Sequence, residues 1–207
     1  MKKLGKIGVV GRFKPLHNGG VVMLETLCEN AEHVTIGLGS CNKYNARNPF
    51  TAEESKKMID LVLSPKYSNY STLFIPDYAH VPEYRDGKKW VEEVLEQYGP
   101  LDAFISGDDY VSDLLKEHYR IIHPASLIPD DKKIRVRATM ARVEIAKGTD
   151  EWKHYVPKEV ADYLENSGLV ERFRKEFGLE TLALLENGVD YTRHESSVEE
   201  KLHTMEA

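Results

Sequence analysis

The chain reads as an α/β protein with a Rossmann-like, doubly wound, parallel five-stranded sheet and C-terminal helices. Three observations predict it. Five short β-rich runs alternate with helical segments over residues 1–150, a pattern that right-handed crossovers turn into a parallel sheet. A stretch rich in glycine and bases, Gly11-Arg-Phe-Lys-Pro-Leu-His-Asn-Gly-Gly20, follows the first run and precedes the first helix. The length of 207 residues suits one such domain with an extension.

The elements follow in order. Lys6–Gly11 is a β-rich run broken by glycine, and Val21–Leu27 has helical spacing. His33–Gly39 alternates and is β-branched, which predicts a strand. Thr51-Ala-Glu-Glu54 has the form of a capping box, and Met58, Ile59, Val62 and Leu63 behind it share one helical face. Tyr70–Ile75 is the third strand, closed by Pro76. Lys88–Gln97 is helical with Val91, Val94 and Leu95 inward. Leu101–Ile105 is the fourth strand, Tyr110–Glu117 a helix, and Tyr119–His123 the fifth strand, closed by Pro124.

The C-terminal part changes character. Thr139–Lys147 reads as a helix ending at Gly148. Pro157 suits the first residue of another, with Gly168 as its stop, and Leu169–Phe177 forms a further one. The expected organisation is a nucleotide-binding domain over 1–150, helices packed on it over 151–178, and an acidic tail over 179–207 whose composition fits disorder.

Charge and cysteine usage bound the function. The net charge is −6, and residues 178–207 hold seven acids against two bases, so the main domain is nearly neutral. No long basic stripe points to nucleic acid. Cys28 and Cys41 form no C-x-x-C pair and no zinc spacing. Two free thiols fit a reducing cytoplasm. No segment approaches 18 apolar residues, so no membrane span is expected.

The chemistry concentrates in the loop after the first strand. In an open parallel sheet, ligands bind beyond the carboxyl ends of the strands. The helix behind this loop offers free amides and a positive dipole end to an anion. Arg12, Lys14 and His17 add donors, and Gly19 and Gly20 permit close approach to the backbone. Together they point to a polyphosphate. Further on, Thr139 at a helix start and Arg142 one turn later can grip a phosphate together. Trp90 fits either core packing or ring stacking, and Asp77 either a turn or a ligand contact.

Arg-Phe-Lys-Pro-Leu-His-Asn-Gly resembles the G-R-F-x-P-x-H-x-G-H signature of nucleotidyltransferases, and within them the archaeal-type nicotinamide-nucleotide adenylyltransferases. The resemblance spans roughly residues 4–166. Gly39-Ser40 with Asn48-Pro-Phe50-Thr51 resembles the family's glycine-serine turn and N-P-F-T helix start. Pro76-Asp77 followed by Trp90-Val91 resembles its nicotinamide pocket. Ser106-Gly107-Asp108 resembles its S-G-N turn, and Arg137-Ala-Thr139-Met-Ala-Arg142 its S-x-T-x-x-R phosphate motif. Two departures matter. The second signature histidine falls on Gly20, and Arg137 replaces the serine.

The resemblance implies adenylyl transfer from ATP to a pyridine mononucleotide, with Mg²⁺ carried on the phosphates and no metal ligands from the protein. His17, Lys14 and Arg142 are the implied catalytic residues. Gly11, Arg12, Phe13, Gly20, Ser106, Gly107, Asp108, Arg137 and Thr139 join them in binding ATP. Ser40, Asn48, Phe50, Asp77 and Trp90 are the implied acceptor contacts. It also implies a homo-oligomer. Gly20 keeps two alternatives open: the same chemistry on another phosphorylated acceptor, or a catalytically impaired nucleotide-binding protein.

Overall fold

The computed structural model describes residues 3–186. Its elements run β1 (Leu4–Gly11), α1 (Asn18–Asn30), β2 (Ala31–Gly39), α2 (Ala52–Leu63), β3 (Tyr70–Ile75), α3 (Lys88–Tyr98), β4 (Ala103–Ile105), α4 (Asp109–Leu115), β5 (Ile121–Ile122), α5 (Ala138–Lys147), α6 (Lys158–Asn166) and α7 (Leu169–Glu186). All sheet pairings are parallel, in the order β3-β2-β1-β4-β5. Val9 stands between Ile36 on β2 and Ile105 on β4. The winding reverses between β1 and β4, so their carboxyl ends leave a crevice open to a ligand.

The sheet is buried on both faces, as its near-continuous apolar strands require. One face packs Ile7, Ile36 and Leu38 against α1, α2 and the C-terminal helices, with Trp152 and Phe173 fully buried among them. The other packs Phe104 and Ile75 against Val94, Tyr98 and Leu115 of α3 and α4. No helix among the described residues is long and apolar enough to cross a membrane.

The β-rich runs and most helices stand where the sequence places them, and the differences have local causes. β4 starts two residues late because the Asp102 carboxylate accepts from the Lys6 amide at 2.7 Å while its own amide donates to the Lys6 carbonyl. β5 is trimmed at both ends. The Tyr119 amide closes the last turn of α4 on the Leu115 carbonyl, and His123 caps the turn at Pro124. Pro157 is the N-cap of α6 rather than its first residue.

The largest correction concerns the C-terminal boundary. α7 does not stop at Phe177 but runs unbroken through Gly178 to Glu186. A helical glycine costs roughly 1 kcal/mol relative to alanine. Packing offsets it: Thr181 is buried, and Arg174 donates to the Ile145 carbonyl of α5 at 2.9 Å. The acidic tail expected from 179 is therefore helical to 186, and its remainder lies outside the described residues.

α7 also holds the segment between β2 and α2. The Thr51–Glu54 capping box forms as expected. Arg172 joins it by donating two hydrogen bonds to the Glu54 carboxylate, at 2.6 and 2.7 Å, and donates to the Pro49 carbonyl at 3.0 Å. Tyr44 packs edge-on against Phe177 and donates to Glu176. Arg172→Ala removes charge-assisted, partly buried bonds and should lower the unfolding free energy by about 2 kcal/mol. Urea titration checks this; a loss below about 0.5 kcal/mol would assign the pair the weight of a surface ion pair.

Candidate active site

The loop after β1 is shaped by its own side chains. The Phe13 ring folds back over Gly11 so closely that a Cβ there would stand 2.8 Å from it. Only glycine permits that approach. Phe13 itself has φ 52°, as does Ser40 at the end of β2. Left-handed backbone at a non-glycine residue costs of order 1–3 kcal/mol and persists only where neighbours enforce it. Here Lys14 and Arg142 do so. Lys14, 1% exposed, donates from Nζ to the Ser40 carbonyl at 3.0 Å. Arg142, 5% exposed, donates to the Lys14 carbonyl at 2.9 Å and to the Thr139 hydroxyl at 3.1 Å. Burial, then the nearby Arg12 charge, brings the Lys14 pKa down to about 8. It keeps its proton at neutral pH.

His17 is the N-cap of α1, and its Nδ1 accepts from the Gly20 amide at 3.1 Å. A ring nitrogen that accepts carries no proton, so the neutral ring holds its proton on Nε2. Burial, and secondly the Arg142 charge, depresses the His17 pKa to about 4. His17 is thus a neutral donor with a fixed tautomer.

Two cavities open at the crevice between β1 and β4. The first, about 350 Å³, contains Ser40, Asp77 and Trp90 in its wall. The second, about 420 Å³, contains Lys14, His17, Gly20, Arg137 and Arg142. Gly11, Arg12 and Asp108 belong to both. The second cavity carries four Lys or Arg side chains against a single carboxylate, a balance suited to a polyphosphate. The first carries a half-buried tryptophan with Tyr78 and Tyr84 nearby, a surface suited to a flat ring.

The expected site residues divide accordingly. Gly11, Arg12, Phe13, Lys14, His17, Gly20, Asp108, Arg137 and Arg142 meet at the second cavity. Thr139, buried at the start of α5, reaches it only through its bond to Arg142. Ser106 and Gly107 lie off both cavities. The Ser106 hydroxyl ties the turn by bonds to the Asp108 carbonyl and amide, which presents Asp108. Asp77 is both turn-former and wall: it accepts from the Ala79 amide at 2.8 Å and from the Ser40 hydroxyl at 3.3 Å.

Two acceptor assignments need correction. Phe50 is fully buried and stacks with Phe173 of α7, so it belongs to the core. Asn48 is 5% exposed and closes a turn with Asn45. Both shape the segment that carries Arg47 to the first cavity. Arg47, Tyr84 and Arg85 were missed because no helical or strand period marks these loops. A base just ahead of Asn48-Pro49 was the one available signal.

The cytidylyltransferase-like family model matches residues 9–192. The nicotinamide-nucleotide adenylyltransferase of Pyrococcus furiosus is 31% identical over 172 residues, covering 80% of this chain and 85% of that protein. Among solved structures, a bifunctional NMN adenylyltransferase/ADP-ribose pyrophosphatase from Francisella tularensis superposes with a TM-score of 0.70 at 18% identity, over 92% of this chain. The chain spans 57% of that longer protein. A form of the Francisella protein complexed with AMP and manganese gives a TM-score of 0.62 at 19% identity, over 84% of this chain and 52% of that one. With the family model covering most of its length and an archaeal relative aligned along the same span, the chain belongs to the cytidylyltransferase-like family and, within it, to the archaeal nicotinamide-nucleotide adenylyltransferases.

Proposed function

We propose that the protein transfers the adenylyl group of ATP to nicotinamide mononucleotide, forming NAD and pyrophosphate, in the cytoplasm and as a homo-oligomer. One observation carries the reading: a cation-rich cavity and an aromatic cavity share a wall at the crevice between β1 and β4. Two substrates bound there face one another across Gly11, Arg12 and Asp108. Positioning of that kind supplies most of the rate in phosphoryl chemistry.

The mononucleotide's phosphate oxygen attacks the α-phosphorus of ATP, and pyrophosphate leaves. His17 donates its Nε2 proton as a hydrogen bond to a phosphate oxygen. Lys14 and Arg142 hold the loop in shape and add positive potential from beneath it. Arg12, in both walls, reaches phosphates of either substrate. Trp90 stacks on the pyridine ring, with Asp77 and Ser40 beside it. When bound to the ATP phosphates, magnesium would supply neutralisation of leaving-group charge. Among the described residues no three His, Cys, Asp or Glu side chains gather to hold an ion.

Gly20 supports a second reading, in which the site binds nucleotide without turnover. Loss of one preorganised donor costs roughly 10²–10³ in rate. Pyrophosphate release from ATP and magnesium, with and without nicotinamide mononucleotide, decides between the two. Release that depends on the mononucleotide is the expected outcome. Silence that Gly20→His converts to turnover would favour the binding protein. Release only with another phosphorylated acceptor would move the assignment to that acceptor.

Ring stacking gives a separate test. Trp152 is fully buried, whereas Trp90 is half-buried in the first cavity. The mononucleotide should quench part of the tryptophan fluorescence, and Trp90→Phe should abolish the quench. A quench that persists in the variant would remove Trp90 from the acceptor site.

The fixed tautomer has a pH consequence. The folded pKa of His17, about 4, lies below its ordinary value of 6.5. Protonation therefore favours the unfolded chain. The stability His17 contributes is complete above pH 6.5 and is lost as pH falls through about 4. Nitrogen-15 NMR should show the ring neutral at pH 6 with its proton on Nε2. Titration near 6.5, or a protonated Nδ1, would contradict the capping geometry.

A further inference from the structure

A third opening has no task in adenylyl transfer. It is a groove of about 810 Å³, enclosed by the segment ahead of α5, α5 itself, Tyr155 and the last turn of α7. Val136, Met140, Val143, Tyr155 and Leu185 give it apolar walls. Met140 and Leu185 are 39% and 37% exposed, and Ile134 beside them is 47% exposed. Apolar surface gathered in this way and rimmed by charge marks a place where something binds.

The rim is basic. Arg135 and Arg137 stand in the groove, both exposed, and Lys132 and Lys133 precede them in the chain. Glu144 is the one carboxylate in its wall, and Lys147 and Thr149 hold it. Two arginines against one carboxylate leave a positive balance. The matching occupant is a segment in which acids alternate with apolar side chains.

The chain carries such a segment, attached at the groove itself. Leu185 is part of the wall, and α7 ends at Glu186. Residues 187–207 lie outside the described residues. Their sequence holds Asp190, Glu195, Glu199, Glu200 and Glu206 against Arg193 and Lys201. Val189, Tyr191, Val198, Leu202 and Met205 are spread among these charges. A short tether gives an effective concentration on the order of mM, which a second copy of the chain or a separate partner lacks. The groove also adjoins the phosphate cavity, because Val136 and Arg137 belong to both walls. Carboxylates seated in the groove therefore stand beside the place where a polyphosphate binds.

We propose that residues 187–207 dock in this groove and compete with polyphosphate for the adjoining cavity, an autoinhibitory contact built into the chain. The competition rests on the reading of that cavity as a polyphosphate site; the docking does not.

Docking is tested in the full chain by a photoreactive benzoylphenylalanine at position 191, in a mixture of isotopically light and heavy protein. Illumination and peptide mapping should join position 191 to the 132–144 segment within one copy. Arg135→Glu with Met140→Glu should remove these products, with thermal unfolding showing that the variant is folded. Absence of products in 132–144 overturns the proposal. So do products formed only between light and heavy copies, which would give the groove to a neighbouring molecule.

Calorimetry reads the competition. The variant Asp190→Asn, Glu195→Gln, Glu199→Gln, Glu200→Gln, Glu206→Gln leaves every residue of both cavities in place. It should bind ATP about threefold more tightly than the parent at low salt. Screening should shrink that difference at about 0.5 M salt. Equal ATP affinities in parent and variant overturn the proposal. If ATP binds neither, the polyphosphate reading of the cavity fails instead, and the products from position 191 alone decide whether the segment docks.

Discussion

A lysine ammonium taken out of water is expensive unless it is bonded and compensated, and the site is arranged around one. Lys14 is almost wholly enclosed, yet burial lowers its pKa only to about 8, so it is charged at neutral pH, and its head reaches the Ser40 carbonyl. That one bond links the end of β1 to the end of β2. Its own carbonyl receives Arg142, which brings in α5. Three segments from distant parts of the chain are thus fixed by a single residue's two ends. The left-handed backbone at Phe13 and Ser40 is held in place by the same knot. Lys14 and Arg142 therefore serve the chemistry first as structure, and as sources of potential second.

The division into two cavities follows from sheet order. Because the winding reverses between β1 and β4, the loop after β1 faces both ways. Arg12 and Asp108 stand where the two openings meet. The cation-rich side is built from α1 and α5, and the aromatic side from the loops after β2 and β3 together with α3 and α4. The two sides share Gly11, Arg12 and Asp108 and are otherwise lined by different residues. That is the pattern expected of a scaffold whose nucleotide site is kept while acceptors differ.

Most of the fold was legible in the sequence because the strands are apolar, short and punctuated by glycine or proline. β3 and the capping box at Thr51 fell where periodicity and spacing put them. What was not legible were contests for single backbone groups. Nothing in the pattern tells that the Asp102 side chain would shorten β4, or that the Tyr119 amide would close α4. Gly178 reads as a helix stop by propensity, but burial of Thr181 and the bond from Arg174 to α5 override it. In the site, the phosphate loop was legible through its motif. The acceptor side was less so. Phe50 and Asn48 sit beside informative residues in sequence, yet they face the core, and Arg47 was hidden in an irregular turn.

The hold of α7 on the 44–54 segment has a consequence for the order of assembly. Arg172 and Phe173 lie more than 100 positions after the residues they secure. During synthesis the ribosome releases β1, α1 and β2 long before α7 exists. The segment carrying Arg47 is fastened only when the last helix folds back. A nascent or clipped chain without α7 would lack both the fastening of the acceptor segment and the packing that backs α5 behind the phosphate cavity.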